Sequence, residues 1–176
     1  SWGILPVVRF DNPDADYSAE ENQLLKRRNI VAQGWYARWY DLFLKYKQEI
    51  LELFQFDEEV KKIPNTILQG VPSNNIRLGV HIRRGDYRTF HDGIYYFNDE
   101  QYVQFIQQFL SLHKEKKVSI FICGNYPEID EKVYLDAFPN LSSTFPKGNP
   151  GQDLYLLSQC DWLMGPPSTF SLVASM

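Results

Sequence analysis

The sequence predicts an α/β fold, a parallel sheet flanked by helices, and three observations carry this. From about residue 76 onward, strand and helix patterns alternate as β-α-β-α-β-α-β-α, the order that builds parallel sheets through helical crossovers. Residues 118–123, Val-Ser-Ile-Phe-Ile-Cys, are a nearly continuous apolar run, the kind of strand that is buried on both faces of such a sheet. In the stretch 77–87, Val80 and Ile82 alternate with Gly79, His81 and Arg83, and Gly85 and Asp86 follow. A strand leaving a core and turning at its end has this form.

Composition narrows the function classes. With 176 residues, 44% of them hydrophobic and 15% aromatic, the chain can bury a core and is long enough for one domain or one domain plus part of another. A net charge of -4 argues against general nucleic-acid binding, which needs a basic surface. No stretch is long and apolar enough to span a membrane, and the opening Ser1-Trp2-Gly3-Ile4-Leu5-Pro6 is not a signal peptide. Cys123 and Cys160 each sit in an apolar run and read as core residues, which favours a reducing compartment. No His, Cys, Asp and Glu cluster has metal-ligand spacing, so neither a metal nor a cofactor is expected.

Along the chain, residues 7–10 can form a short strand and 11–16 a polar turn. Asp14-Ala15-Asp16 matches an Asp-x-Asp metal–nucleotide triplet, but short acids also cap and bend backbone in such turns, and the triplet is read as structural. Ser18, with Glu20, Glu21 and Asn22 behind it, predicts a capped helix through Leu24, Leu25 and Arg28, and Gly34 interrupts the pattern. Trp39, Phe43, Tyr46, Ile50, Leu53 and Phe54 fall at three- and four-residue spacings, predicting one amphipathic helix over 39–54. The aromatic patch of Trp35, Tyr36, Trp39 and Tyr40 reads as helix-packing core. Residues 64–75, with Pro64, Gly70 and Pro72, read as a linker. The chain thus divides into a mainly helical segment, 1–75, and a sheet domain, 76–176.

Within the second part, Phe90-His91-Asp92-Gly93 is a loop and residues 98–101 open a helix carrying Tyr102, Phe105, Ile106 and Phe109. The strand 118–123 ends in Gly124-Asn125. A helix over 127–138, a short strand over 141–145, a turn at 147–151 and a helix over 152–159 follow. Trp162-Leu163-Met164-Gly165 is a strand stopped by Pro166-Pro167, and Ser168-Thr169 caps a last helix over 170–176.

Ligands of parallel sheets bind at the carboxyl ends of the strands, and the turns at 83–86, 124–125 and 165–169 gather on that edge. Adjacent guanidinium groups, Arg83 and Arg84, suit a diphosphate because their forks match phosphate oxygens two at a time. Ser168-Thr169 opens a helix, where free N–H groups and the dipole favour an anion. A diphosphate held this way requires no metal.

Val80-His81-Ile82-Arg83-Arg84-Gly85-Asp86-Tyr87 resembles the His-x-Arg-Arg-Gly-Asp-Tyr signature of the α-1,2-fucosyltransferases, which share distant motifs with α-1,6- and protein O-fucosyltransferases. A second block is similar to the same family: Asp153-Leu154-Tyr155-Leu156-Leu157-Ser158-Gln159-Cys160-Asp161, then Gly165-Pro166-Pro167-Ser168-Thr169-Phe170-Ser171. Tyr95-Tyr96 and Phe56 also fall where the family has similar residues, and the resemblance runs from about Gln33 to the end. It implies a GT-B glycosyltransferase whose Rossmann-like nucleotide-binding half is residues 76–176. Such an enzyme would transfer fucose from GDP-fucose to a glycan hydroxyl, the galactose 2-OH, with inversion and without a metal. The alternative is a non-catalytic nucleotide or nucleotide-sugar binding module.

The family's roles fall on Arg83 as the β-phosphate cation, Arg84 as its support or a donor contact, His81 as a donor contact and Asp153 as the acid on guanine. Ser168, Thr169 and Phe170 match the turn around the phosphates; Asp86 belongs to the signature without an implied role. Asp86, His91 and Asp92 are the local candidates for a general base. Where the family shows Ser-Asp-Asp after the second sheet strand, this chain has Cys123-Gly124-Asn125, and Pro167 stands where the family has Asn. The family's Gly-rich N-terminal motif and final helix have no counterpart, so a piece of a longer enzyme is expected, its acceptor-side half largely outside the sequence. The expected setting is bacterial cytoplasm, with possible membrane association, or the Golgi lumen if eukaryotic.

Overall fold

A short parallel pairing organises the N-terminal part of the chain, and a longer one organises the rest. The structure, a computed structural model, describes residues 5–12, 14–26, 28–34, 36 and 40–176. It divides into two compact units, Ser1–Leu53 and Phe54–Met176.

In the first unit, strand β1 (Val7–Arg9) pairs in parallel with β2 (Val31–Gln33), with Val7 opposite Val31. Helix α1 (Ser18–Lys26) joins them. The expected cap shifts by two residues: Asp16 Oδ1 accepts from Ser18 N at 2.9 Å and from its hydroxyl at 2.5 Å, so Asp16 takes the role assigned to Ser18. Those hydrogen bonds also hold the Asp16 carboxyl below its usual value. Gly34 has φ +127°, and a Cβ there would lie 2.3 Å from the Phe10 carbonyl oxygen, so the chain can pass Phe10 only as glycine.

The helix expected over 39–54 is instead two, α2 (Tyr40–Lys45) and α3 (Lys47–Leu53), parted at Tyr46. Leu44 and Leu53 are 68% and 80% exposed. Of the aromatic patch read as helix-packing core, Tyr36 is exposed: spacing supplies an apolar stripe, but burial requires a surface to receive it. Trp35 and Trp39, on which much of that reading rested, lie outside the described residues, as does Pro13.

The second unit begins with helix α4 (Glu58–Gln69), which runs through Pro64. The linker reading is corrected here. Pro64 is buried, and α4 packs on α7 (Pro150–Ser158), where Tyr155 donates its hydroxyl to Asn65 Oδ1 at 2.9 Å. Packing of a buried face outweighs the hydrogen bond that a proline removes.

The sheet has the order β5-β4-β3-β6, all parallel. Its strands are β3 (Ile76–Ile82), β4 (Val118–Gly124), β5 (Ser142–Thr144) and β6 (Trp162–Met164). Helix α5 (Asp99–Leu112) connects β3 to β4, α6 (Glu131–Ala137) connects β4 to β5, and α7 connects β5 to β6. Asn98 and Asn149 close capping boxes with Gln101 and Gln152 at the starts of α5 and α7.

Strand alternation assigns the two faces. Leu78, Val80, Ile82, Ile120 and Ile122 are buried against Tyr102 and Ile106 of α5 and Tyr134 of α6. Phe121 and Cys123 point to the other face, against Leu156 and Leu157 of α7, Leu68 of α4 and Ala174 of α8 (Thr169–Ala174). A Cβ on Gly79 would lie 2.7 Å from Leu157 and 2.8 Å from Leu163, so the absent side chain is what lets α7 close on the sheet.

The strand order matters for function. The chain moves outward from β3 to β4 to β5, then returns to lay β6 on the other side of β3. Reversal of this kind leaves a crevice at the carboxyl ends of the two strands where it occurs, here β3 and β6.

Candidate functional site

A cleft of about 340 Å³ opens at the same carboxyl edge of the sheet, over the ends of β3 and β4, lined by His81, Arg83, Asp86, Gly124, Asn125, Pro150, Asp153 and Phe170. His81 and Arg83 come from the end of β3, Gly124 and Asn125 from the end of β4, Pro150 and Asp153 from the start of α7, and Phe170 from the start of α8. Glycine permits the convergence. Gly124 has φ +140° and a Cβ would lie 1.9 Å from the Ile82 carbonyl oxygen, while one on Gly165 would lie 2.8 Å from that of His81. Another hollow, of about 350 Å³ and lined by residues 111–116, lies where α5 turns into β4; its lining has none of these buried polar groups.

Arg83 is partly exposed and donates to Asp86 Oδ2 at 2.9 Å, with its guanidinium carbon 4.6 Å from the centre of the Tyr87 ring. The ion pair holds the Asp86 carboxyl below its usual value. Tyr87 is itself fixed, donating its hydroxyl to the Pro167 carbonyl at 2.6 Å and stacking on Phe90. Asp86 thereby has a structural role that its place in the motif left open: it aims the Arg83 guanidinium. The Gly85 turn between them has φ +63°.

Arg84 goes elsewhere. Its side chain is 4% exposed, and its guanidinium meets Asp99 of α5 through two arms, at 2.5 Å and 3.2 Å, and the Glu128 carbonyl. Asp99 also accepts from the Tyr134 hydroxyl at 2.7 Å and from Asp130 N at 3.3 Å. The Arg84 backbone N–H donates to Asn125 Oδ1 at 2.8 Å, tying the ends of β3 and β4 together. The expected two-guanidinium clamp is therefore corrected. A single Arg lines the cleft among the described residues, and its neighbour braces the loop from beneath, because adjacent residues leaving a strand point to opposite sides.

Asp153 faces the cleft from α7. It is buried, accepts from the Tyr126 hydroxyl at 2.7 Å, and burial pushes its carboxyl up to about 6. His81 is buried too, its Nδ1 2.8 Å from the Ser171 hydroxyl and its ring 4.7 Å from that of Phe170. Burial, with Arg83 next to it, pushes the imidazole down to about 4, so it is neutral at physiological pH. Ser168 caps α8 by accepting from Ser171 N at 3.1 Å, as expected, and Thr169 is exposed.

The two remaining base candidates, His91 and Asp92, do not line the cleft. They hold φ of +47° and +56° in an exposed turn, and His91 packs edge-on to Phe90. Sequence reasoning missed Tyr126 and Asp99, and gave Ser171 no role. Tyr126 had a usable signal, its position two residues past Gly124 at a strand's carboxyl end. Asp99 had none, since its partner is 15 residues away on another element.

Comparison with known proteins gives one family and one solved structure. The profile described as glycosyl transferase family 11 matches residues 15–176. The crystal structure of POFUT1 in complex with GDP superposes with a TM-score of 0.49 at 12% identity, covering 69% of this chain. The chain spans 43% of the length of that protein. Among curated proteins no match is found.

Proposed function

We propose that this chain, which belongs to glycosyl transferase family 11, a fucosyltransferase family, is the donor-binding half of a GT-B enzyme. That enzyme would move fucose from GDP-fucose to a glycan hydroxyl, the 2-OH of galactose, inverting the anomeric centre without a metal. The observation that carries the reading is the convergence of Arg83, His81 and Asp153 in one cleft at the carboxyl edge of the sheet. A guanidinium for the diphosphate and a carboxyl for a base that offers N–H donors are what a guanine nucleotide requires.

In the reaction, the bond from fucose C1 to the β-phosphate oxygen breaks and its electron pair leaves with GDP. The acceptor oxygen bonds C1 from the opposite face, and the acceptor hydroxyl's proton passes to water. Charge grows on the departing diphosphate as the sugar becomes oxocarbenium-like. Arg83, held in place by Asp86 and the Tyr87 ring, gains attraction as that charge grows, and binding that strengthens toward the transition state is what lowers the barrier.

The test is Arg83→Ala in the full-length enzyme, assayed for fucose transfer from GDP-fucose to a galactoside, with folding checked by circular dichroism. Transfer should fall by about 10²–10³, the scale for removing one charge-stabilising donor. Near-normal transfer by a folded variant would overturn the proposal. GDP binding without turnover in the wild type would favour the binding module.

A further inference from the structure

The hydrogen bonds around Ser171 fix more than a helix end. Its backbone N–H donates to Ser168 Oγ at 3.1 Å, and its hydroxyl lies 3.0 Å from Ser168 Oγ, 2.8 Å from His81 Nδ1 and 3.4 Å from the Pro166 carbonyl. A hydroxyl has one proton to give. Ser168 Oγ already accepts from Ser171 N and can give its own proton to Ser171 Oγ. The Ser171 proton then has two claimants, and the imidazole nitrogen is the nearer by 0.6 Å, the difference of those two distances.

The ring has little freedom to refuse. Phe170 lies against it, with planes 32° apart. Gly165 leaves space that a Cβ, 3.2 Å from His81 Cβ, would take. Nδ1 accepting from Ser171 puts the single proton of a neutral imidazole on Nε2. Nε2 makes no hydrogen bond to any described residue, and it is not among the buried unpaired atoms. Nε2 is thus the ring nitrogen left open to a further partner, and His81 is one of the residues that line the cleft.

We propose that Ser171 is a positioning residue that fixes the tautomer of His81, so that a neutral Nε2–H donor faces the cleft and meets a hydrogen-bond acceptor of the bound nucleotide. This deepens, and rests on, the reading of the cleft as the donor site. The burial that keeps the imidazole neutral supports it. A neutral donor suits a cleft that already holds one cation, since it orients the nucleotide without a second charge to desolvate. Were the tautomer reversed, Nε2 would present a lone pair to the ligand's own lone pairs.

The experiment is long-range ¹H–¹⁵N NMR on the ¹⁵N-histidine-labelled full-length protein, with the His81 signals identified by their loss in His81→Gln. The wild type should show the Nε2–H tautomer, and GDP should shift those signals. Ser171→Ala should mix or reverse the tautomer and raise the Kd for GDP roughly tenfold, the scale of one hydrogen bond to a charged ligand. Ser171→Thr, which keeps the hydroxyl, should restore both and controls for loss of fold. An Nδ1–H tautomer in the wild type, or an unchanged tautomer in folded Ser171→Ala, overturns the proposal. An Nε2–H tautomer set by Ser171 but signals unmoved by GDP instead overturns the donor-site reading and, with it, the role given to this hydroxyl.

Discussion

Two adjacent arginines should behave oppositely when truncated. Arg84→Ala removes a guanidinium that is 4% exposed from an Asp99 carboxylate that is 12% exposed. It leaves that carboxylate with only the Tyr134 hydroxyl and the Asp130 N–H, and leaves the Glu128 carbonyl without its guanidinium donor. Breaking one side of a buried pair costs about 3–5 kcal/mol, because the remaining charge stays in the interior unpaired. The Arg83–Asp86 pair has side chains 37% and 62% exposed, and pairs of that kind contribute about 0–1 kcal/mol.

Arg84→Ala should therefore unfold about 3 kcal/mol more easily than Arg83→Ala, a large part of the roughly 5–15 kcal/mol that holds a domain together. In melting temperature the difference is about 6–12 °C. Thermal and urea unfolding of both variants, followed by circular dichroism, measure it directly. An Arg84→Ala variant within about 1 kcal/mol of Arg83→Ala would refute the assignment of Arg84 as a buried brace. The double variant Arg84→Met with Asp99→Leu should recover part of the loss, since it removes the stranded charge along with the pair.

Asp153 should make stability depend on pH. Its carboxyl is raised from 3.8 to about 6 by burial, so the native state keeps a proton that the unfolded chain has already lost. Stability contributed by that proton is present below the unfolded value and declines as pH rises through about 6. Asp153→Asn should remove about 2–3 kcal/mol of that decline in urea titrations between pH 3 and 7; a slope unchanged by the substitution would contradict the burial. Gly124→Ala should lose more than about 3 kcal/mol of stability in the same assay, because its Cβ would lie 1.9 Å from the Ile82 carbonyl oxygen. Gly85→Ala, with positive φ but open space around it, should lose only about 1–2 kcal/mol, and equal losses at the two positions would sink the steric account.

Periodicity and local chemistry were enough to find the sheet, its four strands, the helix opening at 98–101, the Ser168 cap, and the strand-end turns at 83–86 and 124–125 that meet at the cleft. Those signals are local: an apolar run, a cap residue, a glycine at a strand end. The same locality misled at Pro64, where a residue that breaks isolated helices is held inside α4 by its packing on α7, and at residues 39–54, where spacing foretold one helix and the chain forms two.

What the sequence determined by itself is that Arg83 and Arg84 leave a buried strand together, in a motif shared with fucosyltransferases. Only the tertiary structure decided that they part. Alternation at the end of β3 turns one guanidinium to the cleft, where Asp86 and Tyr87 aim it, and the other to Asp99 on α5. Which side of a strand faces a ligand and which faces a helix depends on the layers packed around it, and the sequence neighbours of the two arginines carry no record of that. His81 shows the same division. Its place in the motif is written in the chain, but its neutral form comes from burial, and its Nδ1 partner is Ser171, 90 residues away, brought beside it when β6 returns to lie against β3.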